Sequence, residues 1–345
     1  MHQLLNIPES VGAGHLESAL RELGEFSYIR SYGNLGDLLI AEATDQYLEN
    51  HGFKYTIVDP YTAGDEMHNL VHGGGARFTA DWCDVDTCIK VLCNEKVRRC
   101  VILPSSFHKV DTLLGHFDAR HVLFCRDAAS YAYCRAMCPE SQVYLTDDTA
   151  VSLDLNKLQP SDLSEEADGV EEKKLQFALR HYLCRGMRCR MHKATVLTRI
   201  GGEEKRVAFL LRTDKEKKTG FVSPMTYDIS LSWHTPERNK YNANLLQAFS
   251  DVLKYADVIV SDRLHVCIMA YHSGREVYMM DNSYGKLKGV YEQSLSGCPR
   301  VHLVQADDLP ADLRKAWGLL NAPHRKICYL AVEKIYGMLK RLLRR

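Results

Sequence analysis

FSYIRSYGNLGDLLIAEATDQYLENHGFKYTIVD, residues 26–59, holds one full period of the pattern that decides the fold. FSYIR (26–30) and KYTIVD (54–59) read as strands, and an amphipathic helix runs from about Asp37 to Asn50 between them. The pattern repeats outward. Strands are expected at HNLVHGG (68–74), CVILPSS (100–106), HVLFCRD (121–127) and VYLTDD (143–148), with helices over 84–98 and 127–137. Alternation of apolar, β-branched strands with helices is the mark of a mostly parallel, doubly wound sheet. It resumes later with strands at RVAFLLR (206–212), ADVIVSD (256–262) and REVYMMD (275–281), and a helix over 242–255.

Between these halves, SDLSEEADGVEE (161–172) carries six carboxylates and no apolar period, so it reads as a solvated linker. A basic, helical stretch follows at 173–193. At roughly 150 residues per domain, 345 residues make two, taken here as 1–165 and 166–345. A hydrophobic fraction of 46% excludes a disordered chain. The balance of 44 basic and 44 acidic side chains argues against a dedicated nucleic-acid binder. No apolar run approaches the ~18–20 residues of a membrane span, and MHQLLNIPES has no signal-peptide character. A cytoplasmic protein is the expectation. The segment 328–345 reads as an amphipathic helix with Lys334, Lys340, Arg341, Arg344 and Arg345. It could touch an anionic membrane surface peripherally, although packing its Leu and Ile face on the protein body is the commoner role. Twelve cysteines form no C-x-x-C pair or zinc spacing. Several lie in apolar runs, as Cys125 does in VLFCRD, and read as reduced core residues.

In open α/β sheets, ligands bind beyond the C-terminal strand ends. At those ends the first half places Tyr32-Gly33-Asn34-Leu35-Gly36-Asp37, then Gly73-Gly74-Gly75, then Pro104-Ser105-Ser106-Phe107-His108. Arg126-Asp127 and Asp147-Asp148 follow, the latter pair lacking the further oxygen ligands a metal needs, so no metal is expected. The glycine turn is not G-x-G-x-x-G, and Asp37 has the position of a helix cap. In the second half Arg212 ends a strand, Asp262-Arg263-Leu264-His265 ends the next, and Asp281-Asn282-Ser283-Tyr284-Gly285-Lys286-Leu287-Lys288-Gly289 ends a third. Two arginines and one or two lysines at neighbouring strand ends would make an anion cradle, with His265 able to move a proton near neutral pH.

Taken together these motifs resemble the polysaccharide pyruvyltransferase family. The resemblance rests on G-N-x-G-D (Gly33, Asn34, Gly36, Asp37), the glycines 73–75 and L-P-S-S (103–106). It extends through R-D-x-x-S (Arg126, Asp127, Ser130), S-D-R-L-H (261–265) and D-N-S-Y-G-K-x-K-G (281–289), over about residues 26–295. It implies two Rossmann-like domains with a cleft between them, as in GT-B glycosyltransferases. The implied reaction moves the pyruvyl group of phosphoenolpyruvate onto sugar hydroxyls as a cyclic ketal and releases phosphate. No cofactor is implied, phosphoenolpyruvate being a co-substrate. The acceptor is a polysaccharide or its precursor, free, nucleotide-linked or lipid-linked. The implied donor residues are Arg212, Arg263, Leu264, His265, Asn282, Ser283, Tyr284, Lys286 and Lys288. Among them His265 acts as general acid, and Arg212 and Arg263 stabilise the anionic groups. The acceptor would face Asn34, Asp37, Ser105, Ser106 and His108. The competing reading is a GT-B glycosyltransferase using a nucleotide sugar, which would need a carboxylate for the ribose and a slot for the base.

Overall fold

In a computed structural model of the chain, successive residues of the central strands point alternately into two separate cores. The structure describes residues 13–59, 68–163, 169–177, 179, 184–214, 216–217, 220–232, 234–235, 241–281 and 285–325. The expected C-terminal helix at 328–345 and part of the acidic linker lie outside them.

The elements of the first half are α1 (Ala13–Leu23), β1 (Phe26–Ile29), β2 (Gly33–Asn34), α2 (Leu35–Asn50), β3 (Tyr55–Ile57), β4 (Asn69–His72), α3 (Val85–Leu92) and β5 (Arg99–Ser105). They continue with α4 (Asp111–Leu114), β6 (His121–Cys125), α5 (Ala128–Met137) and β7 (Gln142–Leu145). The sheet is wholly parallel in the order β3-β1-β4-β5-β6-β7. Cys100, Ile102, Leu123 and Cys125 face a core closed by α3, α4 and α5. Their neighbours Val101, Leu103, Val122 and Phe124 face one closed by α1 and Leu48 of α2. Burial on both faces is why these strands read as continuous apolar runs. It also accounts for the buried Cys88, Cys100, Cys125, Cys134 and Cys138. Helix α3 is shorter than the expected 84–98, because Asn94 accepts the Lys96 amide in a turn right after it.

The second half holds α6 (Val170–Phe177), α7 (Cys184–Lys193), β8 (Thr195–Ile200), β9 (Glu203–Leu210), β10 (His234–Thr235), α8 (Asn242–Leu253), β11 (Val258–Ser261) and α9 (Leu264–His272). β12 (Glu276–Met280), α10 (Lys286–Val290), β13 (Val301–Val304) and α11 (Ala311–Leu320) complete it. Its sheet runs β13-β12-β11-β9-β8, parallel except for the edge hairpin β8–β9. Gly201 and Gly202, both at positive φ, make the hairpin turn. Val207, Phe209, Val258 and Val260 pack under Leu313, Ala316 and Leu320 of α11.

The chain forms two compact units: residues 1–160, 233–246 and 284–299 in the first, and the remainder in the second. The units therefore depart from a single division at 165/166: residues 161–165 fall in the second unit, and two later segments fold with the first, both for visible causes. β10 pairs antiparallel with β2, His234 opposite Asn34 and Thr235 opposite Gly33. α10 packs on Asp127 so closely that a Cβ on Gly289 would lie 2.8 Å from the aspartate Cβ.

Candidate functional site

In the second unit the strand ends β9 and β11 lie side by side, Ser261 in register with Leu210, so Arg212 and Arg263 emerge together. Both are buried, at 5% and 8% exposure. Arg263 holds Asp228 through a two-armed fork, Nε to Oδ1 at 3.0 Å and Nη2 to Oδ2 at 2.6 Å. The Arg212 Nε donates to Asp214 Oδ1 at 2.9 Å, and its Nη1 lies 2.6 Å from Glu216 Oε2. Arg263 Nη2 also lies 2.7 Å from Asp214 Oδ2. Both guanidinium groups thus converge on one carboxylate. Asp228 is further fixed by the Thr213 amide at 2.7 Å, and Asp262 accepts the Arg212 amide at 2.7 Å. Burial pushes the Asp262 carboxyl up to about 6, against the pull of the Arg212 amide and of the Arg212, Arg263 and Lys217 charges.

Among the described residues, this cluster sets the two arginines, with the Lys217 charge also acting on Asp262, against four carboxylates, Asp214, Glu216, Asp228 and Asp262. It is therefore not the open cradle of positive charge that the sequence leads one to expect. The arginines are already paired, and an incoming anion must exchange with a carboxylate. Leu264 is buried at the start of α9, and His265 stands half-buried one residue on. Arg263 is the N-cap of α9 and makes no side-chain cap bond, so the first amides of α9 gain no acceptor from it.

The first unit has its own strand-end cluster, at the place where strand order reverses between β1 and β4. There Asn34 and Asp37 form a capping box: Asn34 Oδ1 accepts the Gly36 amide at 2.7 Å, and Asp37 Oδ2 accepts the Asn34 amide at 2.9 Å. Gly33 has φ 146°, and a Cβ there would collide with the Asp37 carboxylate. The motif thus serves the start of α2 in the first instance. A Cβ on Gly74 would lie 2.5 Å from the Pro104 carbonyl oxygen, so this glycine lets two strand ends meet.

Ser105 and Ser106, expected to face an acceptor, are 0% and 4% exposed, and their hydroxyls point inward. Ser105 Oγ donates to the Leu103 carbonyl at 2.8 Å. Ser106 Oγ donates to Asp127 Oδ2 at 2.8 Å and accepts from Arg126 Nε at 2.9 Å. Arg126, fully buried, reaches Asp148 at 2.6 Å, while Asp127 caps α5 through the Ser130 amide at 2.8 Å. The L-P-S-S and R-D-x-x-S motifs are thus one buried network that frames the strand ends. His108 is half-buried, and Lys109 after it has φ 53°.

Lys286 and Lys288 belong to α10 of the first unit, not to the unit of Arg212 and Arg263. Lys288 is exposed and lies 3.8 Å from Glu292. Asn282, Ser283 and Tyr284 fall outside the described residues. Among the described residues, no group of three or more His, Cys, Asp or Glu is placed to hold a metal ion, and no helix is long and apolar enough to cross a membrane.

Two kinds of residue escaped the sequence reading. Asp214, Glu216 and Asp228 come from the irregular stretch after β9, where no period marks them. His72, last in β4, was read only as part of a strand. Its Nδ1 bonds the Gly73 carbonyl at 2.8 Å, so Nδ1 carries the proton and Nε2 the lone pair. Burial lowers its pKa to about 4, leaving the ring neutral. A histidine ending a strand at the sheet's switch point was the available signal.

A family model described as polysaccharide pyruvyl transferase matches residues 34–284, more than half of the chain. EpsO of Bacillus subtilis (strain 168), named as a candidate pyruvyl transferase, is 25% identical over 306 residues, covering 82% of this chain and 89% of that protein. An uncharacterized protein of Klebsiella pneumoniae, of known crystal structure, superposes with a TM-score of 0.64 at 23% identity. It covers 88% of this chain and 100% of its own, a likeness of fold.

Proposed function

We propose that this chain, which belongs to the polysaccharide pyruvyl transferase family, takes its pyruvyl group from phosphoenolpyruvate and sets it as a cyclic ketal on two hydroxyls of one sugar. Atoms balance without an oxidant. The donor's methylene carbon gains a proton and becomes a methyl group. Two C–O bonds form at the central carbon as the C–O bond to phosphate breaks, and the two hydroxyl protons cover the methyl group and the departing phosphate.

The observation that carries this reading is the convergence of Arg212 and Arg263 on the Asp214 carboxylate. A carboxylate held by two buried guanidinium groups marks where a small anion would sit, and forked arginine contacts suit both carboxylate and phosphate. Phosphoenolpyruvate brings one of each. Its carboxylate takes the place of Asp214, and its phosphate that of Glu216 on Arg212. His265, two residues beyond Arg263, protonates the methylene carbon. Asp228 keeps the Arg263 fork aimed, and Asp262 anchors Arg212 through its amide.

The acceptor side of the proposal is the switch-point edge of the first unit, with Asn34, Asp37 and His108. His72 Nε2 offers a lone pair to a sugar hydroxyl at any pH above about 4. Ser105 and Ser106 frame that edge from inside. The GT-B-like pairing of donor and acceptor units, and a cytoplasmic setting in which phosphoenolpyruvate is at hand, belong to the same proposal.

The test is thermal stability of the purified protein with phosphoenolpyruvate, with inorganic phosphate and with UDP-sugars, since a ligand that binds the native state raises apparent stability. A rise with phosphoenolpyruvate that disappears in Arg263→Ala is expected. A rise with UDP-sugars alone would reassign the chain to nucleotide-sugar chemistry.

A further inference from the structure

The start of α3 holds a feature outside the strand-end clusters. Asp84 is the N-cap, its carboxylate accepting the Thr87 amide at 3.2 Å and the Thr87 hydroxyl at 2.8 Å. Cys83 therefore occupies the position before the cap and Cys88 the fourth position of the helix. Those two places normally hold a pair of apolar side chains that staple the entering chain to the first turn. Here both are thiols. Cys83 Sγ donates to Cys88 Sγ at 3.9 Å, so the sulfurs need approach by only about 1.9 Å to reach bonding distance.

The surroundings favour oxidation. Cys83 is half-buried between the exposed Trp82 and Asp84, which gives a small oxidant an approach. The hydrogen bond from Cys83, and the charge and hydrogen bond of the Arg77 side chain, draw the Cys88 thiol below its ordinary range. Cys83, which gives its proton to that hydrogen bond and is partly buried, is raised. Cys88 is thus the more readily ionised of the two sulfurs, with Cys83 beside it as the resolving thiol. The Cys134–Cys138 pair on α5 is a useful contrast. There Cys138 Sγ bonds the Cys134 carbonyl, both thiols are buried, and both are raised.

We propose that Cys83 and Cys88 form a reversible disulfide when the protein meets a peroxide, a modification site independent of the reading of the donor. The thiolate attacks one peroxide oxygen, breaking the O–O bond to give a sulfenic acid and hydroxide. The second thiol then attacks the sulfenic sulfur, forming the S–S bond and releasing water, and the hydroxide takes up the remaining thiol proton. Two thiols are oxidised, one peroxide is reduced, and two waters leave. The bond ties α3 to residues 79–83, which run beside His108: the Ala80 amide bonds its carbonyl at 2.9 Å. It therefore stiffens one border of the first unit's strand-end cluster.

Trypsin cutting after Arg77 and Lys90 releases both cysteines on one peptide, 78–90. The full chain is treated with graded hydrogen peroxide, alkylated with N-ethylmaleimide and digested. The expected product is this peptide unalkylated and two hydrogens lighter, reverting to the doubly alkylated form after dithiothreitol. In Cys83→Ser the sulfenic acid has no partner and is trapped by dimedone on Cys88. Arg77→Gln slows disulfide formation about fivefold as the thiolate fraction falls. Recovery of the doubly alkylated peptide at a peroxide dose that already oxidises the exposed Cys189 overturns the proposal. An unchanged rate in Arg77→Gln overturns the part given to the arginine.

Discussion

Replacing Asp262 by Asn is expected to stabilise the protein at neutral pH, although it alters a side chain at the heart of the arginine cluster. Asp262 is fully buried, and its carboxyl rises from an ordinary 3.8 to about 6 because burial disfavours the charge. The Arg212 amide and the charges of Arg212, Arg263 and Lys217 offset only part of that cost. At about 1.4 kcal/mol per unit, the charged form is held about 3 kcal/mol less well in the native than in the unfolded chain. The sign follows from the direction. A raised native pKa means that the stabilising contribution of the bound proton is complete below 3.8 and is lost as pH rises through about 6. Asn keeps an oxygen for the Arg212 amide and carries no charge to lose. The variant and the parent should therefore unfold alike at pH 3.8, then separate, the variant gaining roughly 5–10 °C in Tm by pH 7. Thermal unfolding of both proteins, followed by tryptophan fluorescence across this range, reads the gap directly. A gap that does not change with pH, or a variant less stable at pH 7, would refute the reasoning.

Other expectations follow from single geometries. Asp148→Ala leaves the buried Arg126 guanidinium without its 2.6 Å partner and should cost about 3–5 kcal/mol, seen as a large fall in Tm. Gly289→Ala forces a Cβ to within 2.8 Å of Asp127 and should cost about 1–3 kcal/mol, whereas Gly297→Ala, with open space around it, should change little on the same scan. His265→Ala should lower turnover about 10²–10⁴-fold in a phosphate-release assay while the phosphoenolpyruvate-induced thermal shift persists. Near-normal turnover there removes His265 from the proton-transfer role.

The elements legible in the sequence were those whose burial leaves a clear pattern. β5 and β6 are buried on both faces, and CVILPS and HVLFC announce them. β8 was missed because it is an edge strand with Leu197 and Arg199 exposed, and its one signal, the Gly201-Gly202 turn, was not weighed. α9 escaped for the opposite reason. LHVCIMAYH is buried on nearly every side, so no 3.6-residue period separates an inner from an outer face. As the strand-end rule expects, Arg212 and Arg263 follow the ends of β9 and β11, with His265 two residues beyond Arg263. The rule could not show that Lys286 and Lys288 fold with the first unit, because that depends on Gly289 seating α10 against Asp127, a contact between distant parts of the chain. Nor could it tell a frame from a face: Ser105, Ser106 and Arg126 stand at strand ends in sequence, yet all three point into the protein.

The charge count in the arginine cluster has a consequence for selectivity on the proposed reading. A donor does not arrive at bare cations. It must displace the Asp214 carboxylate shared by Arg212 and Arg263, and the Glu216 carboxylate on Nη1 of Arg212. Each buried guanidinium that loses a partner without gaining another incurs the full penalty of an unpaired charge, several kcal/mol. Inorganic phosphate or pyruvate brings one anionic group and can replace one of the two carboxylates. Phosphoenolpyruvate brings two, at a fixed spacing, and can replace both at once. The internal carboxylates then act as a filter on the number of anionic groups a ligand carries. Two exposed arginines without them would bind any of the three ligands in rough proportion to charge. Asp228 completes the device, because its fork keeps Arg263 aimed while Asp214 leaves, so the site need not reorganise around the donor.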